Sequence, residues 1–403
     1  MDQPKRAPST EPLSARTIWV TGVCILTVTI AAVALLLWPL QLVATPPGGG
    51  KIEALKVALS IGAGAGAYAT LALAARRQRH DEQVARITEF DASERRVTEL
   101  YSRSIEQLGS ESATVRIGAL HALKRLGDNN PTQRQAIANV LCSYLRMPYE
   151  VPGVAIDDED RRDLNSAGAQ DGRNLVLNGI RDARDAQELQ VRITAQELLT
   201  QSVCRTSDLD RSDRWEVDID LSHATLVDFR LVDAFMKRVR FVGCNFLGDT
   251  DFGGTVFSGT ADFSGSACTG ALVATGCTFK EGAVFLGLRV RDLLSFSGSV
   301  FDRKCDLHEV YATEISLTEA NFRDTLSIQQ GETETIEAIE ITCDKRVYFS
   351  MTRIGQLDAQ RSLFKADLRL APYQLDHQAN FEDATIRGQL DISDRVAPQQ
   401  VKL

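Results

Sequence analysis

The sequence predicts a mainly β protein, a stack of four-sided coils, preceded by two apolar helices of membrane-crossing length and a small α-helical segment. Three observations predict it. From Leu221 onward a large apolar side chain returns every five or six residues. Neither the 3.6-residue helical period nor strict strand alternation explains that recurrence, because each would send successive members to different sides. Two long, nearly uncharged runs precede Arg76, and amphipathic helical spacing follows them.

Residues 1–16 form an N-terminal tail bearing Lys5, Arg6 and Arg16, and residues 17–43 then run for 27 positions without Asp, Glu, Lys or Arg. At 1.5 Å per residue a helix of that length reaches about 40 Å, more than the ~30 Å hydrocarbon layer. Trp19 and Trp38 stand near its ends, where indole rings favour the headgroup region. The run is about twice the apolar core of a signal peptide and has no small-x-small site before Pro46, so it reads as an anchor.

Residues 44–53 form a short outer loop with Pro46, Pro47 and three glycines, and residues 54–75 form a second run broken only by Lys56. Lys56 reaches the interface by snorkelling. Gly62 and Gly66 share one helix face and allow another helix backbone to approach closely. That partner is either the first span or a second copy; in the second case a homodimer forms through Gly62 and Gly66, and the end of the β-helix is the other surface for one. The stretch also fits G-x-G-x-x-A, but its flanks lack the strand and soluble helix of a nucleotide fold. Arg76, Arg77 and Arg79 follow the second run, whereas the loop offers only Lys51 and the membrane-edge Lys56. The positive-inside rule therefore places both termini in the cytoplasm of a multi-pass protein of the bacterial-type inner (plasma) membrane.

Residues 78–147 read as three short amphipathic helices, a HEAT-like unit. Val84, Ile87, Val97, Tyr101, Ile105 and Leu108 mark the first, ended by Gly109. Val115 to Leu126 mark the second, ended by Gly127. Asn130 and Pro131 open the third, which Pro148 stops. One such unit cannot bury its own apolar face, so it must pack on something else. Residues 148–183, with Asp157-Asp-Glu-Asp160, read as a polar linker; the run lacks the alternation and terminal Glu of a calcium loop. Residues 184–205 read as a helix capping the first coil and protecting its edge.

Residues 215–395 carry the repeat. Leu221, Leu226, Leu231, Met236, Phe241 and Phe246 are five apart; six-residue steps then give Phe252, Phe257, Phe263, Cys268, Val273, Phe279 and Phe285. Beyond them, Phe301, Phe322, Cys343 and Phe364 recur at every twenty-first position, as do Leu307, Ile328, Phe349 and Leu370. If each pentapeptide is one side of a square coil, its central residue and the small residue two earlier point inward. Ala224-Thr-Leu226-Val-Asp228, Cys244-Asn-Phe246-Leu-Gly248 and Ala379-Asn-Phe381-Glu-Asp383 resemble the A-(D/N)-L-x-x signature of the pentapeptide-repeat family. The resemblance implies a right-handed quadrilateral β-helix. At ~4.8 Å per coil, eight to nine coils make a rod about 40 Å long.

Cys244 and Cys277 then occupy the small inward position and Cys268 and Cys343 the central one, where burial disfavours a thiolate. His223 falls on the surface. The eight cysteines contain no C-x-x-C pair, and the five histidines have no helical metal spacing; no catalytic, cofactor-binding or metal-ligating residue is assigned. From residue 215 on there are 28 acidic and 19 basic side chains, a difference of 9 that equals the whole net charge of −9. That surface disfavours direct nucleic-acid binding, which draws on Lys and Arg.

The expected function is a membrane-tethered scaffold that presents the β-helix to an unidentified cytoplasmic protein, without catalysis. Alternatives are an acidic DNA mimic that inhibits a topoisomerase, as family members do, and a membrane signalling or sensor protein. Arg230, Lys237, Arg238 and Arg240, on outward positions of the first coils, weigh against the mimic. A topology reporter fused after Leu403 is expected to be active only in the cytoplasm; periplasmic activity would reverse the orientation.

Overall fold

The computed structural model describes residues 50–149, 183–204 and 214–403, with five helical positions between Val23 and Ala34. The chain divides into two units, residues 1–96 and residues 97–403. The expected first span, 17–43, otherwise lies outside the described residues, as does most of the linker 148–183.

Helix α1, Gly50–Leu108, is one element of 59 residues. It takes in the expected second span, 54–75, the end of the expected loop 44–53, and the first helix of the 78–147 segment. The sequence around Arg76 to Asp81 is polar but has no Gly or Pro to break it, so the helix continues. Among the described residues, no helix is long and apolar enough to cross a membrane.

Helices α2, Ala113–Asn129, and α3, Arg134–Arg146, follow, joined by a 3-10 turn that begins at Pro131. Gly127 does not end α2. It lies buried inside the helix, and a Cβ there would stand 2.3 Å from Cζ2 of Trp215. The missing side chain admits an indole that is itself wholly buried and donates Nε1–H to Asp128 at 3.1 Å. Helix α4, Ala183–Val203, packs against α2 and α3.

Helices α3 and α4 pack against the first strands of the coiled region. A glutamine from each binds the backbone there. Gln196 donates to the carbonyl of Val227 at 2.8 Å and accepts from the Val227 amide at 3.2 Å. Gln135 does the same to Asp218, at 3.0 and 2.9 Å. Each side-chain amide stands in for the strand that a first coil lacks, so the exposed edge is blunted.

From Ile219 the chain winds as a β-solenoid whose strands form three parallel sheets of nine, twelve and eight strands. Nine strands on one side mean about nine coils. Along that side Ile219, Val239, Ala261, Ala283, Cys305 and Leu326 stand in register. The interval lengthens by two after Val239, holds as far as Cys305, and shortens by one from there. The twelve-stranded sheet wraps two sides because strands such as Arg289–Ser295 continue round a corner, with a register shift between Val290 and Leu293.

The core is built of inward columns, one for each side of the coil, and two of them on adjacent sides are rich in Phe. Met236, Phe257, Phe279, Phe301, Phe322 and Cys343 stack in one. Ring centroids of Phe257, Phe279, Phe301 and Phe322 are 4.6 to 5.1 Å apart, with planes within 11° of parallel. Phe241, Phe263 and Phe285 stack in the other, at 5.1 and 5.3 Å. One expected inward residue moves: Val273 is half-exposed, and Leu272 and Ala274 are buried on either side of it. The longer step falls before Ala274, which lines up between Phe252 and Phe296, rather than after residue 273. The coils also run past the expected end at 395, because Val401–Lys402 pairs with Ala379–Asn380.

Phe279→Ala is expected to cost about 3–5 kcal/mol by opening a cavity in the column. Arg323→Ala, on the surface, should cost under about 1 kcal/mol. Urea midpoints of the two variants falling together would refute the stacked-column account.

Candidate functional site

Inward positions serve structure. At the small site two residues before the centre, a hydroxyl or thiol donates to a carbonyl of the coil below: Cys244 to Leu221 at 2.9 Å, Thr255 to Leu231 at 2.6 Å, Cys277 to Phe252 at 3.0 Å, Ser299 to Ala274 at 2.6 Å. The hydroxyls also accept an amide from that coil, Thr255 from Ala234 at 3.3 Å and Ser299 from Cys277 at 2.9 Å. A buried carbonyl at the corner is thereby satisfied, which explains why Cys, Ser and Thr recur where the repeat asks for Ala.

The thiols are chemically quiet. Burial pushes Cys142, Cys244 and Cys277 up from 9.0 to about 12 and Cys268 to about 11. Burial raises the Cys305 and Cys343 thiols well above 9.0 as well. Among the described residues no group of His, Cys, Asp and Glu is placed to hold a metal ion. His223 is exposed, as expected, and takes a left-handed φ of 63° at a corner that Gly243 and Gly265 occupy in the next coils.

Outward positions carry the recognisable chemistry, and they pair charge with charge. Asp302 and Arg323 meet at 2.7 Å, Asp324 and Lys345 at 3.3 Å, Asp344 and Lys365 at 2.6 Å. Each pair joins side chains one coil apart. Arg361 and Glu340 do the same at 2.7 Å. Along the column Asp302, Arg323, Asp344, Lys365 the sign alternates from coil to coil, whereas Glu337 stands beside Asp358 of the next coil.

The twelve-stranded sheet bears a groove of about 860 Å³ beside its bulge. Arg289, Tyr311, Glu332 and Arg353 stand in one column along it. The Arg289 guanidinium lies 4.8 Å from the Tyr311 ring centroid. Arg353 reaches Glu332 at 2.7 Å and Asp376 at 3.3 Å. Ala312, Thr333 and Gly355 also line it; a Cβ at Gly355 would stand 2.3 Å from the Glu334 carbonyl oxygen, so that position stays bare. Nearby, Glu314 has its carboxyl raised above the usual range by burial and by the charge of Glu337. The groove offers an aromatic face, fixed charges of both signs, the imidazole of His377 and bare backbone.

Repeat logic treated outward residues as interchangeable and did not find this groove. A signal existed. From Ala312 on, the step from the second side to the third shortens by one position, so Leu317, Ala338 and Ala359 take the column held by Phe296.

No family model matches the chain, and neither does any curated protein or solved structure.

The thiols predict a pH response. In the unfolded chain they ionise near 9.0, whereas the folded protein holds their protons to about 12 for Cys142, Cys244 and Cys277. Their stabilisation is complete below pH 9 and falls as pH rises toward 12, by up to roughly 1.4 kcal/mol per unit for each thiol. Iodoacetamide at pH 8 should leave all three unmodified until urea unfolds the chain; rapid labelling in the folded state would contradict the burial.

Proposed function

We propose that the protein is a membrane-tethered member of the pentapeptide-repeat type whose solenoid holds a cytoplasmic protein partner, without catalysis. The groove around Tyr311 carries the reading: aromatic, charged and bare-backbone surface converges there on one outward column pattern, on a scaffold whose core is packed throughout. A rigid parallel stack presents such a column without an ordering cost at each encounter. The anchor rests on the uncharged run 17–43, the run 54–75 and the flanking arginines, which support two spans with both termini in the cytoplasm.

The DNA-mimic reading draws less support. A mimic needs unbroken anionic rows, and here acids meet bases one coil away, as in Asp324 with Lys345 and Asp344 with Lys365. A sensor reading has only the short loop 44–53 to receive a signal.

A photo-crosslinking residue in place of Tyr311, in the full chain in native membranes, should give one discrete protein adduct that Arg353→Glu abolishes. The same residue in place of Lys345 should give none. Equal adducts from both sites, or an adduct indifferent to Arg353→Glu, would sink the groove as the docking surface.

A further inference from the structure

Helix α1 presents apolar side chains that nothing among the described residues covers. Val84, Ile87 and Phe90 are 48%, 62% and 64% exposed. Single exposed apolar residues are ordinary, but Ile87 and Phe90 have a phase, which Val84 borders. From Ile87 and Phe90, steps of alternately three and four residues pass through Glu94 to Val97, Tyr101 and Leu108. Those three do pack, against the core of residues 97–403. Backward, the same steps pass through Gln83, His80 and Arg76 to Leu73, which is 61% exposed, and on to Gly66 and Gly62. Alternating steps of three and four are the 3.5-residue period of a helix that winds on another helix.

The occupant follows from charge and from chain chemistry. Arg86 and Asp91 flank the Ile87 and Phe90 pair at the positions that face each other across a parallel, in-register seam. There Arg86 of one copy meets Asp91 of the other, twice by symmetry, whereas an antiparallel pair would set like charges together. The chain's own N-terminal tail is a poor occupant, because Pro4, Pro8 and Pro12 recur every four residues and each removes a helical hydrogen bond. Gln83 and His80 on the seam fix its register at a cost in stability, to which Arg76 and Glu94 add because each meets its own kind across a parallel pair.

We propose that residues 62–94 of α1 pair in parallel and in register with the same residues of a second copy of this chain. The protein is then a dimer that carries two solenoids. This rests on the membrane-tethered reading only in that insertion of both copies in one sense makes the parallel arrangement the accessible one.

The test uses the full chain in native membranes, in a Cys24→Ser background, oxidised with copper phenanthroline. Ile87→Cys and Phe90→Cys should give disulfide-linked dimers, and Ala85→Cys and Ala92→Cys, on the opposite face, should not. Purified in detergent, the protein should show twice its 44.2 kDa protomer mass, falling to the single value with Ile87→Asp and Phe90→Asp together. Crosslinking at all four positions alike, at none, or to a different protein would overturn the proposal. Carbonate extraction alongside reports membrane attachment separately: a soluble chain that still crosslinks only at residues 87 and 90 refutes the tether and keeps the dimer.

Discussion

The parallel, in-register hydrogen bonding of one coil to the next is the constraint on which the rest of the structure depends. It forces residues one coil apart to share a position, so each inward column must be filled by side chains that tolerate their own kind above and below. Phe meets this condition well, because rings offset in parallel stack without a polar atom to satisfy. The polar edge of the same geometry is met by the small inward residue, whose hydroxyl or thiol closes a corner carbonyl. A solenoid core is therefore decided coil by coil, by nearest neighbours.

That constraint makes the ends the weak places. At the first coil, helices α2, α3 and α4 supply apolar cover, and Gln135 and Gln196 supply the missing backbone partners. The junction is specific: Gly127 is bare because Trp215 occupies the space its side chain would take. At the last coil there is no helix among the described residues. A 3-10 turn at Pro398–Gln400 leads into Val401–Lys402, and Gln400 donates to the Leu375 carbonyl at 2.7 Å. The same economy, a glutamine side chain in place of a strand, serves both ends.

On the outer surface the coil period acts on charge as it acts on Phe inside. Opposite charges one coil apart stand about a strand spacing from each other, close enough to bond and exposed enough that each bond is worth little. Their effect is on recognition: they remove the long anionic rows that net charge alone would suggest. The groove differs because its column mixes a cation–π pair with a guanidinium shared by two carboxylates, over small residues. It is the place where the solenoid is least like its own repeat.

Most of the fold was legible in the sequence, since a period is a one-dimensional property. The recurrence of Leu221 to Phe246, and the coil-length spacing of Phe301 to Phe364, determined a coiled stack with an apolar interior, and apolar spacing marked the helix at 184–205 before it. What a period cannot locate is a step of one residue. The shift from Val273 to Ala274, the helical run through Gly127 and the extension to Lys402 were settled by three-dimensional packing, because each exchanges one acceptable local pattern for another. The groove belongs to the same class. Sequence alone determined which residues point outward; only the tertiary structure decided which of them converge, because convergence depends on corners whose bend is set by the neighbouring coils.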